Sequence, residues 1–189
     1  LSLTYLDQMP PGRKPVKTWL VSEEKRHAAY AWAEKEIKKN HQQAFVICPL
    51  IENSEKELLK NIKAATVEYE KLKKVFPSLK LALLHGRTPA LEKEKIIKQF
   101  AGGKIDILVA TPIVEVGIDI PGANLIIIEA ADRFGLAQLH QLRGRVGRRE
   151  KQAYCLLFAS PKASQKSLKR LRLFSQTYSG IKLAQIDLE

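Results

Sequence analysis

Only two cysteines occur in the 189 residues, Cys48 and Cys155. Each sits inside an apolar run with no second cysteine or histidine at metal-ligand spacing, so both read as core packing in a reducing compartment. His27, His41, His85 and His140 are equally scattered, and no metal site is expected. Every apolar run is too short to cross a bilayer, and the first residues lack a secretory signal pattern, which points to a soluble chain that does not span a membrane. A phosphate-binding loop is missing as well. It needs Gly-x4-Gly-Lys-[Ser/Thr], and Gly102-Gly103-Lys104-Ile105 fails at both ends; no Asp-Glu pair stands in a Walker B context either. Nucleotide hydrolysis by this chain alone is therefore not expected. Internal repeats and low-complexity segments are also absent.

What the chain has in excess is positive charge. A formal net charge of +12 points to a polyanionic partner, either nucleic acid or an acidic membrane surface. The Lys-rich stretch 56–80 is most simply a solvated helix face. Length suits one domain with a sizeable core, and a hydrophobic content of 45% is ordinary for a globular protein. A start at Leu1 and a stop at Leu188-Glu189 without a tail read as a piece of something larger.

Residues 1–15 are Pro-rich and read as an extended lead-in, followed by a strand at 16–21. Ser22 is a plausible N-cap for a helix whose Tyr30, Ala33 and Ile37 form one apolar stripe, with Glu23 and Glu24 at its positive end. Short apolar runs at 44–47, 81–84, 105–110, 125–128 and 153–158 read as buried parallel strands. Helical patterns at 64–75, 89–101, 135–143 and 162–176 alternate with them, while 52–63 is ambiguous. The alternation defines a doubly wound α/β domain with a mainly parallel sheet flanked by helices.

In such domains ligands bind outside the carboxyl ends of the strands, and three motifs are expected there. His85-Gly86-Arg87 follows one strand; ordinary loop chemistry and a phosphate contact are both open for it. Thr111-Pro112 follows the next and leads through Glu115, Gly117 and Asp119 to Pro121, a spacing that favours a ribose contact for Asp119 over a turn-capping carboxylate. The third is Gln141-x-x-Gly144-Arg145-x-Gly147-Arg148. Arg143, Arg145 and Arg148 offer planar donor forks that stay charged, and the glycines let the backbone bring neighbouring forks together, so the cluster is expected to meet phosphate. In the last helix Lys162, Lys166, Lys169, Arg170 and Arg172 decorate a face opposite Leu168, Leu171 and Phe174.

The series from Leu84 to Arg87, from Leu108 to Pro121 and from Phe134 to Arg148 resembles the second RecA-like lobe of superfamily 2 helicases, and more narrowly the RecG family of fork-remodelling DNA helicases. Leu6-Asp7-x-x-Pro10-Pro11-Gly12-Arg13 near one end and Ala184-Gln185-x-Asp187-Leu188-Glu189 near the other are similar to the same family. The resemblance implies a P-loop NTPase-type lobe over 16–160 and the start of a helical hairpin over 161–189. It implies that Gln141, Arg145 and Arg148 face ATP bound with Mg2+ on a preceding lobe, the arginines as fingers on the transferring phosphoryl group. Gly117 and Asp119 would approach the nucleotide, Thr111, His85 and Arg87 the nucleic acid, and Gln185 would couple ATP turnover to movement. Implied partners are branched or forked DNA and the preceding RecA-like lobe and wedge domain of one polypeptide, in a bacterial cytoplasm at the nucleoid. The alternatives are a lobe of the transcription-repair coupling factor, which shares the arginine cluster, or a non-catalytic nucleic-acid adaptor of the same fold.

Overall fold

The computed structural model describes residues 14–49, 55–112, 123–147 and 151–178. Six strands, β1 (Lys17–Val21), β2 (Gln43–Ile47), β3 (Leu81–Leu84), β4 (Ile107–Ala110), β5 (Ala123–Ile128) and β6 (Tyr154–Phe158), form one sheet in the order β1-β6-β5-β2-β4-β3. Every pairing is parallel. Position in the sheet follows composition. The central strands β2, β4 and β5 are buried at every residue and are apolar except for Gln43 and Asn124 near the starts of β2 and β5, whereas the edge strands β1 and β3 keep partly exposed positions.

Helices cover both faces. The stripe Tyr30, Ala33 and Ile37 of α1 (Arg26–Asn40), with Ala65 and Leu72 of α2 (Glu55–Val75), closes one core over Val46, Val109 and Ile127. The other core joins Phe100 of α3 (Ala90–Ala101), Leu136 and Leu139 of α4 (Leu136–Arg143), and Leu171 and Phe174 of α5 (Gln165–Gln176) over Leu108, Ile126 and Leu157. Through Leu171 and Phe174, α5 packs against β1. Cys48 and Cys155 are buried, and burial pushes both thiols up to about 12, as expected of core atoms.

Several boundaries differ from the sequence reading. The ambiguous stretch is helical, since α2 begins at Glu55 and keeps Asn61, Ala65 and Leu72 buried on one face. Ser22 makes no side-chain cap bond. A single 3-10 turn (Glu23–Lys25) intervenes, and α1 begins only at Arg26. A side-chain cap occurs instead at α5, where Ser164 Oγ accepts from the Ser167 N–H at 3.1 Å.

One glycine is fixed by geometry. Gly147 has φ of +76°, and a Cβ there would lie 2.9 Å from Ala153 Cβ and 3.3 Å from Val16 Cγ2. Gly147→Ala is expected to destabilise the lobe by about 1–3 kcal/mol from the left-handed backbone alone, and by more if Ala153 cannot give way. A urea midpoint within error of wild type would show that the turn relaxes freely.

Candidate nucleotide and nucleic-acid sites

Two groups of candidate residues lie at opposite ends of the sheet. At the carboxyl end, His85-Gly86-Arg87-Thr88 forms a tight turn closed by the Thr88 N–H on the His85 carbonyl at 2.9 Å. Thr88 Oγ1 accepts from the His85 N–H at 3.0 Å and lies 3.4 Å from its Nδ1. The turn presents Arg87 to solvent, while His85 and Thr88 line a shallow groove beside β3 with Tyr69, Leu83, Pro89 and Glu92. Thr111 ends β4 but is only 2% exposed. Its N–H is held by the Leu84 carbonyl at 3.3 Å, tying the ends of β3 and β4 together.

The arginine cluster lies elsewhere, which corrects the expectation of one rim of motifs at the carboxyl ends. It follows β5, but α4 runs back along the sheet and returns the chain to the amino ends of β1 and β6. There Gly147 abuts Val16 and Ala153, which immediately precede those strands. Six residues of β5 at about 3.3 Å each separate the two edges by roughly 20 Å. Gln141 is exposed on the last turn of α4, and Arg145 is half-buried just past it.

Arg143 is the second correction, because it does not belong to a phosphate cluster. Only 4% exposed, its guanidinium donates to the carbonyls of Thr177 at 2.8 Å and Phe174 at 3.1 Å, approaches Thr18 Oγ1 at 3.5 Å, and lies 4.2 Å from the centre of the Phe174 ring. Burial lowers its pKa. Spacing on α4 explains the difference: Leu136, Leu139 and Arg143 share the inward stripe, which Arg145 escapes because the helix has ended. His140, half-buried beside it, is pushed down by burial and by the charge of Arg143. Stability should therefore fall as pH drops through about 6.5, where the unfolded ring takes up a proton that the folded ring refuses. In His140→Gln that fraction of the pH dependence of the urea midpoint should vanish.

Sequence reasoning missed a charged network at the carboxyl end of β5. Glu129 accepts from Arg26 Nη1 at 2.9 and 3.0 Å and from the Tyr30 hydroxyl at 2.9 Å. Arg26 also meets Glu23 at 2.9 Å and lies 4.1 Å over the Phe158 ring. Burial opposes the charge on Arg26, but the Glu129 carboxylate outweighs it and holds the pKa above the ordinary value; burial and then Glu129 raise Tyr30 and Glu68. Arg170, expected on the solvent face of α5, instead donates to the carbonyls of Asp132 at 3.0 Å and Phe134 at 3.1 Å. A charge at the end of a buried strand, as at Glu129 after the four apolar residues Leu125 to Ile128, was the available signal for a buried partner.

Gly117, Asp119, Arg148 and Gln185 lie outside the described residues. Among the described residues no group of three or more His, Cys, Asp or Glu could hold a metal ion, and no helix is long and apolar enough to cross a membrane.

A parallel sheet clad on both faces, with glycine-bounded arginines at one end and a basic turn at the other, has the arrangement of a helicase motor lobe. Residues 28–150 match the helicase conserved C-terminal domain, and the chain belongs to that family. Over its whole length it is 50% identical to the ATP-dependent DNA helicase RecG of Aquifex aeolicus and 47% identical to that of Thermotoga maritima, covering 24% of each. The chain thus spans about a quarter of the length of the curated relatives it matches. A solved structure of RecG bound to a three-way DNA junction superimposes with a TM-score of 0.78 at 44% identity, over 96% of this chain and 23% of that one. The C-terminal domain of the DEAD-box protein Dbp5 shares the fold at 20% identity and a TM-score of 0.55.

Proposed function

We propose that this chain is the second motor lobe of an ATP-dependent DNA helicase that acts on forked or branched DNA. The observation that carries the reading is the match, over nearly the whole chain, to RecG in complex with a three-way junction. In this reading the amino edge of the sheet meets ATP. Gln141, Arg145 and Arg148 face the phosphates, and Gly117 with Asp119 approaches the nucleotide. The donor set is suited to phosphate: Arg145 stands half-buried in a turn fixed by Gly147. Bound ATP supplies the phosphoryl group whose spreading charge the arginines stabilise. Mg2+ would be bound mainly by the preceding lobe, as the resemblance implies.

The carboxyl edge meets nucleic acid, with Arg87 and His85 on the backbone beside Thr111 and the turn it opens. Residues 161–189 begin a transmission element whose Gln185 couples turnover to movement; a preceding lobe and a wedge domain complete the machine in a bacterial cytoplasm.

The isolated chain is expected to show no DNA-stimulated ATP hydrolysis, and adding the preceding lobe in one polypeptide should restore it. Turnover by the chain alone that survives further purification would sink the half-motor reading. Duplex binding by the chain should weaken with salt at a log–log slope of about −0.9 per phosphate neutralised; affinity indifferent to salt would contradict a backbone-tracking surface.

A further inference from the structure

Helix α4 starts after a loop at the carboxyl edge and ends at the arginine turn of the amino edge. Eight residues at about 1.5 Å each give it roughly 12 Å of length, so a shift at its first turn is felt at its last. The loop that feeds it, from Glu129 to Gly135, is pinned at three points. Glu129 is gripped by Arg26 and Tyr30 of α1, in a pair whose side chains are 15% and 12% exposed. Asp132 accepts from the Ser160 N–H and hydroxyl, both at 2.6 Å. Arg170 of α5 holds the carbonyls of Asp132 and Phe134. Between the first two pins Ala130 adopts φ of +45°, a left-handed conformation unfavourable for a residue with a Cβ and kept only where surroundings impose it.

Three ionic or charge-assisted anchors on seven residues exceed what the packing of α4 needs, since Leu136 and Leu139 already bury it. Two of the anchors come from other elements, α1 and α5. We infer that Arg26, Tyr30 and Glu129 are positioning residues that make turnover at the amino edge answer to DNA held at the carboxyl edge, by fixing the first turn of α4 against α1. The inference rests on the motor-lobe reading above. Bound DNA moves or stiffens the carboxyl-edge loops; the braced loop passes that change to α4, and α4 delivers it to Arg145.

The test uses the full-length polypeptide. Glu129→Gln keeps the shape but removes the charge that Arg26 grips, and Arg26→Lys keeps the charge but loses the fork. ATP turnover is measured with and without forked DNA, together with amide exchange over 130–136. Both variants should lose about tenfold in DNA stimulation, within the usual range of coupling between sites, while basal turnover and KM for ATP stay near wild type. Exchange over 130–136 should accelerate. An equal fall in basal and stimulated turnover would overturn the inference, as would full stimulation with a loosened loop. Should either variant fold poorly, Tyr30→Phe removes one hydrogen bond and no charge; it should lose part of the stimulation, and unchanged stimulation with faster loop exchange would again count against it. Arg145→Ala run alongside separates the two readings. Normal turnover in that variant would refute the motor-lobe assignment of the arginine turn, whereas the exchange comparison decides the brace independently.

Discussion

Replacing Arg145 with alanine in the full-length polypeptide is expected to lower ATP turnover by about 10³ to 10⁵, the usual contribution of an arginine finger, with ATP and DNA affinity largely retained. That fall corresponds to roughly 4 to 7 kcal/mol of lost stabilisation at the phosphoryl group. Arg148→Ala should behave alike. The isolated chain should meanwhile keep its urea midpoint in Arg145→Ala to within about 0.5 kcal/mol, because a half-exposed side chain beyond the end of α4 carries little of the core. Near-normal turnover in both variants would return the cluster to an ordinary basic turn.

Arg143→Ala should give the opposite phenotype two residues away. The substitution strips donors from the Thr177 and Phe174 carbonyls and removes the cation from the Phe174 ring, inside the interface between α4, α5 and β1. An unsatisfied buried acceptor costs about 1–3 kcal/mol, and the lost packing of the side chain adds to it, so a destabilisation of roughly 2–5 kcal/mol is expected. Arg143→Lys should recover only a fraction, since a single ammonium cannot reproduce the fork on two carbonyls and the planar contact with the ring. The measurement is the urea midpoint of the 189-residue chain at constant slope. A loss below about 0.5 kcal/mol, the range of ordinary surface substitutions, would mean that the α5 junction does not depend on this residue.

The contrast between these two arginines marks how far the fold and the site could be read from residues alone. Strands were legible because a doubly covered parallel sheet forces continuous apolar runs, as in Ile107–Ala110 and in Leu125 to Ile128, although the polar Asn124 hid the first two residues of β5. The start of α2 was not, since charged residues outnumber apolar ones from Glu55 to Lys63 and the segment gives little apolar period by itself. The residue types of the arginine turn were legible from the glycines around it. Its place at the amino edge was not, because local spacing does not say that α4 carries the chain back across the sheet. Nor does spacing reveal that Arg143 points inward, a fact set by Thr177 and Phe174 more than thirty positions away. The Arg26–Glu129 pair, separated by 103 positions, was hidden for the same reason.

The guanidinium of Arg143 also joins the two ends of the lobe. It touches Thr18 at the start of β1 and Thr177 just after α5. Those are the points where the chain comes into the sheet and leaves the last helix. Tension applied between the incoming and outgoing chain is therefore shared between this side chain and the first rung of the β1–β6 pairing, where the Lys17 N–H donates to the Ala153 carbonyl at 3.0 Å. The entry into the sheet and the exit from α5 thus meet at one corner of the lobe, held together by hydrogen bonds from a single side chain.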